Sequence, residues 1–106
     1  MTALVHGFVR VQPGSLTTVL TAAARMSEAS RAEPGCLSYH CAQDVGDPNT
    51  LVLVEEWASD EALQAHLGSP AFAAFVETIR PAVAESPTIT RFGDVTGRPL
   101  LPRSDS

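Results

Sequence analysis

Residues 51–76, LVLVEEWASDEALQAHLGSPAFAAFV, set three structural signals end to end with almost no slack between them, and this leaves few folds open. Leu51 to Val54 is an apolar, β-branched-rich run of strand length that leads into Trp57. Ser59 is placed to cap a helix, with Asp60 and Glu61 in the first turn, where the helix dipole favours negative charge. Leu63, His66 and Leu67 then follow at i, i+3, i+4 spacing and share one helical face. Gly68 is expected to end that helix in the left-handed conformation. Ser69-Pro70 opens a second helix, whose apolar stripe is Phe72, Phe75, Val76 and Ile79. Trp57 and His66 therefore both point at a seam between a sheet and helices, where a pocket would lie. Which sheet face Trp57 occupies stays open, because a one-residue change of register reverses it.

The remaining chain supplies the partners this unit needs. Ala3 to Val11 reads as a strand with Ala3, Val5, Gly7, Val9 and Val11 on one face and Leu4, His6, Phe8 and Arg10 on the other. Pro13-Gly14 is a turn, and Ser15 is placed to cap a helix with the stripe Leu16, Val19, Leu20, Ala23 and Met26. That helix should stop at Glu33-Pro34-Gly35. Cys36 to Val45 is a second strand, with Leu37, Tyr39 and Cys41 on one face and Ser38, His40 and Ala42 on the other. The turn at residues 46–49 joins it to the strand Thr50 to Ala58. Pro81 interrupts the pattern near the end of the last helix, and Pro87 to Val95 is a fourth strand. The order β-α-β-β-α-β, its last helical segment split in two, predicts an α+β, ferredoxin-like fold: an antiparallel sheet with helices on one face. Residues 1–95 form the expected domain, and residues 96–106 a C-terminal tail or docked arm.

Helices can cover only one face of such a sheet, yet the strands are apolar on both. Val52 and Val54 oppose Leu51 and Leu53, while Leu4 and Phe8 oppose Val5 and Val9. A half-solvated antiparallel sheet should alternate between apolar and polar. A second subunit packed sheet to sheet would bury the surplus face, so a symmetric homodimer is expected.

Composition removes several classes of function. The 106 residues carry a net charge of −5, with seven arginines and no lysine, which argues against a nucleic-acid partner. No apolar run approaches the ~20 residues needed to cross a bilayer. The N-terminus reads as a strand and not as a signal peptide, so a soluble cytoplasmic protein is expected, with no membrane partner. Cys36 and Cys41, five apart on one strand, should sit roughly 16 Å apart on opposite faces. Intrachain bridging needs Cα atoms within about 7 Å, so two free thiols are expected. Three dispersed histidines and the pair Glu55-Glu56 have no metal-ligand spacing, and no phosphate-binding glycine loop or dinucleotide fingerprint is present. No metal, flavin or nicotinamide cofactor is expected.

AEPGCLSYH (Ala32 to His40), the turn DPNT (Asp47 to Thr50) and VEEWASDEALQAHLGSPAFAAF (Val54 to Phe75) together resemble the antibiotic biosynthesis monooxygenase family. The resemblance runs from about Leu4 to Val95. It implies a dimeric α+β barrel with a pocket between sheet and helices in each subunit, and it points to cofactor-free quinol and anthrone monooxygenases. It is less specific for the reaction, since members include isomerases and haem-degrading enzymes. The haem-degrading branch places an asparagine on the first strand, a tryptophan on the middle helix and an axial histidine on the next helix. Gly7, His66 and Val76 stand at those positions here, and valine cannot ligate iron, so haem degradation of that type is not expected.

His66 is the candidate catalytic residue, a base able to accept a phenolic proton near neutral pH. The alternative is a buried histidine that merely hydrogen-bonds a backbone carbonyl. Trp57, Tyr39, Phe72 and Phe75 are the candidate substrate-binding residues, each equally readable as core filler. His6 and His40 read as interface or surface residues. The expected function is oxidation of a phenolic, hydroquinone or anthrone-type aromatic by dioxygen without a cofactor. An isomerase or other proton-transfer enzyme on the same fold, and a non-catalytic dimer that binds a small molecule, remain as alternatives.

Overall fold

The computed structural model describes residues 2–101, so the expected tail is described only to Leu101 and the rest of it lies outside the described residues. β1 (Thr2–Arg10) is an inner strand, paired antiparallel with β3 (Thr50–Trp57) on one side and with β4 (Thr88–Val95) on the other. β2 (Cys36–Gln43) lies outside β3, giving the order β2-β3-β1-β4 with every pair antiparallel. Between the strands run α1 (Leu16–Arg31), α2 (Asp60–Leu67) and α3 (Pro70–Ile79), all on one sheet face. This is the ferredoxin-like arrangement, with the last helical segment divided in two as the proline signals implied. Among the described residues no helix is long and apolar enough to cross a membrane.

Register decides which residues share the covered face. Ala3, Val5, Gly7 and Val9 stand opposite Trp57, Glu55, Leu53 and Leu51, and all lie under the helices. Leu4, His6 and Phe8 stand opposite Glu56, Val54 and Val52 on the other face. Trp57 therefore belongs to the helix-covered face, where it is 0% exposed. The apolar stripe of α1 packs onto it through Val19, Ala23 and Met26. Burying a side chain of this size contributes about 1.5–3 kcal/mol, so this face supplies the core.

Three local expectations need correction. The β2–β3 register shifts between Cys36 and Ser38, so Cys36 lies opposite Trp57 and Cys41 opposite Leu53. Both thiols thus share the covered face instead of opposing ones; both are free. The physical reason is a bulge, which takes up one residue and leaves Leu37 57% exposed instead of beside Tyr39. Ser15 makes no side-chain cap, because a 3₁₀ turn over Pro13–Ser15 winds straight into α1. Gly68 is not left-handed, with φ −93° and ψ 3°. Ser69 satisfies the helix end in its place: its hydroxyl donates to the His66 carbonyl at 2.7 Å and accepts from the Phe72 N–H at 3.2 Å. The next helix begins at once, so no reversal is needed. Leu67 shares the face of Leu63 and His66 as expected and borders the same cavity, at its open edge. Ser59 caps α2 as expected, its hydroxyl accepting from Ala62 N–H at 3.1 Å.

Gly35 holds the connection from α1 to β2 in place. Its φ is +82°, and a Cβ there would fall 2.5 Å from the Ala62 Cβ of α2. Its carbonyl accepts from the Ala58 N–H at 2.8 Å. Glycine is thus required twice, for the left-handed backbone and for the close approach. Gly35→Ala adds left-handed strain of about 1–2 kcal/mol and overpacking of about 1–3 kcal/mol. Chemical denaturation should show it as a loss of stability of that combined size with an unchanged denaturant slope.

Candidate active site

His66 sits three residues after Leu63, on the inward side of α2, and is 1% exposed. Its ring lies among aromatic neighbours: Trp57 at 4.6 Å between centroids, Phe72 at 5.4 Å and Tyr39 at 5.7 Å. Nδ1 lies 2.8 Å from Glu33 Oε1. Nε2 lies 3.9 Å from Glu55 Oε1, too far for a hydrogen bond but close enough for charge coupling. Glu55, on the covered face of β3, accepts a hydrogen bond from the Trp57 indole N–H at 3.0 Å. A carboxylate at Glu33 favours the tautomer in which Nδ1–H donates this hydrogen bond, with the lone pair of the neutral ring on Nε2.

A cavity of about 180 Å³ opens beside this group. His66, Tyr39, Phe72, Phe75 and Glu55 are among its walls, together with Val5, Leu53, Val76 and Met26. Ile89 and Arg91 of β4 and Leu67 of α2, all exposed, mark its mouth. There Arg91 is paired with Asp60 at 2.6 Å. A cavity of about 150 Å³ is enough to hold benzene, so one aromatic ring fits inside. A larger open groove of about 690 Å³ borders Leu4, Glu56 and residues 96–99, and contains no histidine, cysteine or tyrosine.

Four of the five residues expected at the site, His66, Tyr39, Phe72 and Phe75, therefore meet at one cavity. Trp57 does not line it. It stands behind His66 with its indole N–H donated to Glu55. Two residues were missed. Glu55 carried a signal: alternation places it with Leu51, Leu53 and Trp57, a charge on an otherwise apolar face. Glu33 carried none, since only the Gly35 turn brings it across to α2. His40 is exposed, while His6 lies half-buried on the other sheet face between Phe8 and Phe92, with its buried Nδ1 unpaired.

Burial dominates the electrostatics. Desolvation raises the Glu55 pKa above the usual carboxylate range, Glu33 adds to the rise, and the Trp57 hydrogen bond and His66 oppose it. Burial likewise pushes the Tyr39 hydroxyl well above an ordinary phenol, with the Glu55 charge adding to it. Cys41 is raised by burial and then by Glu55, so neither it nor Cys36, raised mainly by burial, is an activated thiol. Among the described residues no group of three or more His, Cys, Asp and Glu side chains is placed to hold a metal ion.

Comparison with known proteins gives consistent results. The family model described as antibiotic biosynthesis monooxygenase matches residues 2–78. An uncharacterized protein of Synechocystis sp. is 34% identical over 74 residues, covering 70% of this chain and 50% of that relative, so the match spans half the relative's length. The Bacillus subtilis protein named "Putative monooxygenase YcnE" is 30% identical over 73 residues, covering 69% of this chain and 77% of the relative. A solved structure from Caulobacter crescentus superposes with a TM-score of 0.83 at 25% identity, over 90% of this chain and 91% of that one. One from Deinococcus radiodurans reaches 0.87 at 20% identity, over 94% and 99% respectively, which establishes the shared fold.

A raised carboxyl pKa fixes the sign of a stability effect. Glu55 is harder to ionise folded than unfolded, so its contribution is most favourable at low pH and is lost as pH rises through the folded value. Glu55→Gln keeps an acceptor for Trp57 and removes the buried charge. Thermal unfolding should find this variant at least as stable as the native protein at pH 7–8, with the advantage shrinking towards pH 4.

Proposed function

The chain belongs to the antibiotic biosynthesis monooxygenase family, and from that premise we propose that it is a cofactor-independent monooxygenase acting on a phenolic, hydroquinone or anthrone-type aromatic. The observation that carries this reading is the aromatic, mainly apolar cavity whose one imidazole is held by Glu33 through Nδ1. Nε2 is then free to accept a proton from a ring hydroxyl or an activated methylene, a step worth about 10²–10⁴-fold in rate. Aromatic walls orient a flat guest, and their mainly apolar surface offers the resulting anion few solvating partners, which keeps it electron-rich. The Glu33 carboxylate on Nδ1 disfavours an anionic head beside the imidazole, so the group delivered to His66 is a neutral hydroxyl or methylene.

The chemistry balances without an outside electron donor. The substrate anion gives one electron to dioxygen, the radical pair combines into a carbon–oxygen bond, and the peroxide is protonated. Loss of water then breaks the O–O bond and leaves a carbonyl. A methylene carbon loses two hydrogens and gains one oxygen, and the other oxygen departs with those hydrogens as water. An isomerase would use the same base, but would form its product with or without oxygen.

A second copy of the chain covers the other sheet face. Phe8, Val54 and Phe92 are 46%, 40% and 39% exposed there and lie close together across β1, β3 and β4. Apolar side chains grouped in this way around His6 mark an interaction surface more than ordinary surface scatter. Phe8→Asp combined with Val54→Asp should convert a dimer to a folded monomer in sedimentation velocity; a native protein that sediments as a monomer would refute the dimer.

Oxygen electrode measurements with an anthrone, a naphthol and a hydroquinone test the activity directly. Uptake should match product one to one, fall about 10²–10⁴-fold in His66→Ala, and fall by part of that factor in Glu33→Gln, which no longer fixes the tautomer. Anaerobic turnover would favour isomerisation, and no turnover across the panel would leave ligand binding alone.

A further inference from the structure

Glu55 is left without a task by a mechanism that needs only His66 and Glu33. Its position is costly for a structural residue. It is 6% exposed, in the middle of an apolar face, and its hydrogen bond comes from the neutral indole of Trp57. Glutamine at this position would accept the same hydrogen bond without a buried charge, and well-packed neutral groups generally replace buried charges with little loss or with gain. The carboxyl also lines the cavity and approaches Nε2, the nitrogen that Glu33 leaves free.

We propose that Glu55 is the second proton-handling residue of this cavity: it supplies the proton that leaves with the departing oxygen, and recovers it from His66. The inference rests on the oxygenase reading for that role. In the final step the base removes the second hydrogen from the oxygenated carbon, the O–O bond breaks, and hydroxide must leave as water. One group cannot remove a proton and donate another in the same step. His66 Nε2 takes the carbon-bound proton and the Glu55 carboxyl delivers one to the leaving hydroxide. Proton return from the imidazolium, relayed through the water just formed because Nε2 and Oε1 stand 3.9 Å apart, restores both groups, and two substrate hydrogens end in one water. Oε1 accepts the hydrogen bond from the Trp57 indole N–H, so the second oxygen is the one available to carry an acidic proton. The desolvation that raises Glu55 acts in the direction a proton donor needs, since it favours the protonated carboxyl. The groups facing it are His66 on α2, Glu33 on the loop before β2, and Tyr39, Cys36 and Cys41 on β2, with Arg91 of β4 on the same cavity.

Two measurements on Glu55→Gln and Glu55→Asp, beside His66→Ala, decide the matter. Infrared difference spectra of the free protein should contain a protonated carboxyl band that titrates above the ordinary glutamate range and is absent from Glu55→Gln. With a substrate that the native protein oxidises, Glu55→Gln should still take up oxygen and release organic hydroperoxide in place of the carbonyl product. Its kcat for that product should fall about 10²–10⁴-fold, the range of a lost general acid, with KM little changed and partial rescue in Glu55→Asp. His66→Ala should lose oxygen uptake itself. Native product ratios in Glu55→Gln, or no such infrared band, would overturn the proposal. If the native protein oxidises nothing in the panel, the oxygenase reading fails separately, and the infrared band alone then decides whether Glu55 carries a proton at this cavity.

Discussion

A histidine ring sealed from water has two nitrogens to account for, and the answer found for His66 ties the molecule together. An unpaired buried polar group costs about 1–3 kcal/mol out of a net stability of about 5–15 kcal/mol for a typical domain. Glu33 settles Nδ1, but it comes from the loop after α1 and reaches α2 only because Gly35 lets that loop touch Ala62. Ser69 fixes the other end of the same helix by bonding the His66 carbonyl and the first turn of α3. Trp57 closes the back of the ring and is itself satisfied by Glu55. Each constraint is local, and together they leave the imidazole one orientation with Nε2 towards the cavity wall.

The two sheet faces invert the usual distribution of polarity. The helix-covered face contains two ionisable groups from one short network, Glu55 and His66, while the face away from the helices shows Phe8, Val54 and Phe92 to solvent. Either departure alone would be unremarkable in a protein of this size. The second follows from one sequence property: strands apolar on each side need two coverings, and α1, α2 and α3 provide one.

Much of this was legible in the sequence because it depends on spacing. The split of the last helical segment at Ser69-Pro70, the cap at Ser59, and the inward turn of His66 at i+3 from Leu63 are local consequences of residue type. Four of the expected site residues converge for the same reason. What was not legible depends on one-residue events or on tertiary approach. The bulge at Leu37 moved Cys36 to the face of Cys41, and no feature of CLSYH marks it. Gly68 had the composition of a left-handed cap, but Ser69 removed the need for one. Trp57 was taken for a wall because its large ring and indole N–H suit a ligand; the carboxyl two residues before it on the same strand face had first claim on that N–H. Glu33 came from a turn that reads only as a helix stop.

The cavity's rigidity is uneven, and this bears on how a guest reaches it. Its inner walls are Tyr39, Leu53, His66 and Phe75, all buried and held by packing or hydrogen bonds. Its mouth is different. Leu67 and Ile89 are exposed, and the contact across it is the Arg91–Asp60 pair, whose side chains are 46% and 50% exposed. An ion pair that open to solvent contributes only about 0–1 kcal/mol. Separating β4 from the start of α2 there therefore costs far less than displacing any inner wall, each of which buries a large side chain worth about 1.5–3 kcal/mol. The rim yields and the floor does not, so opening past Arg91 leaves undisturbed the Glu33–His66 contact that sets the direction of the free nitrogen.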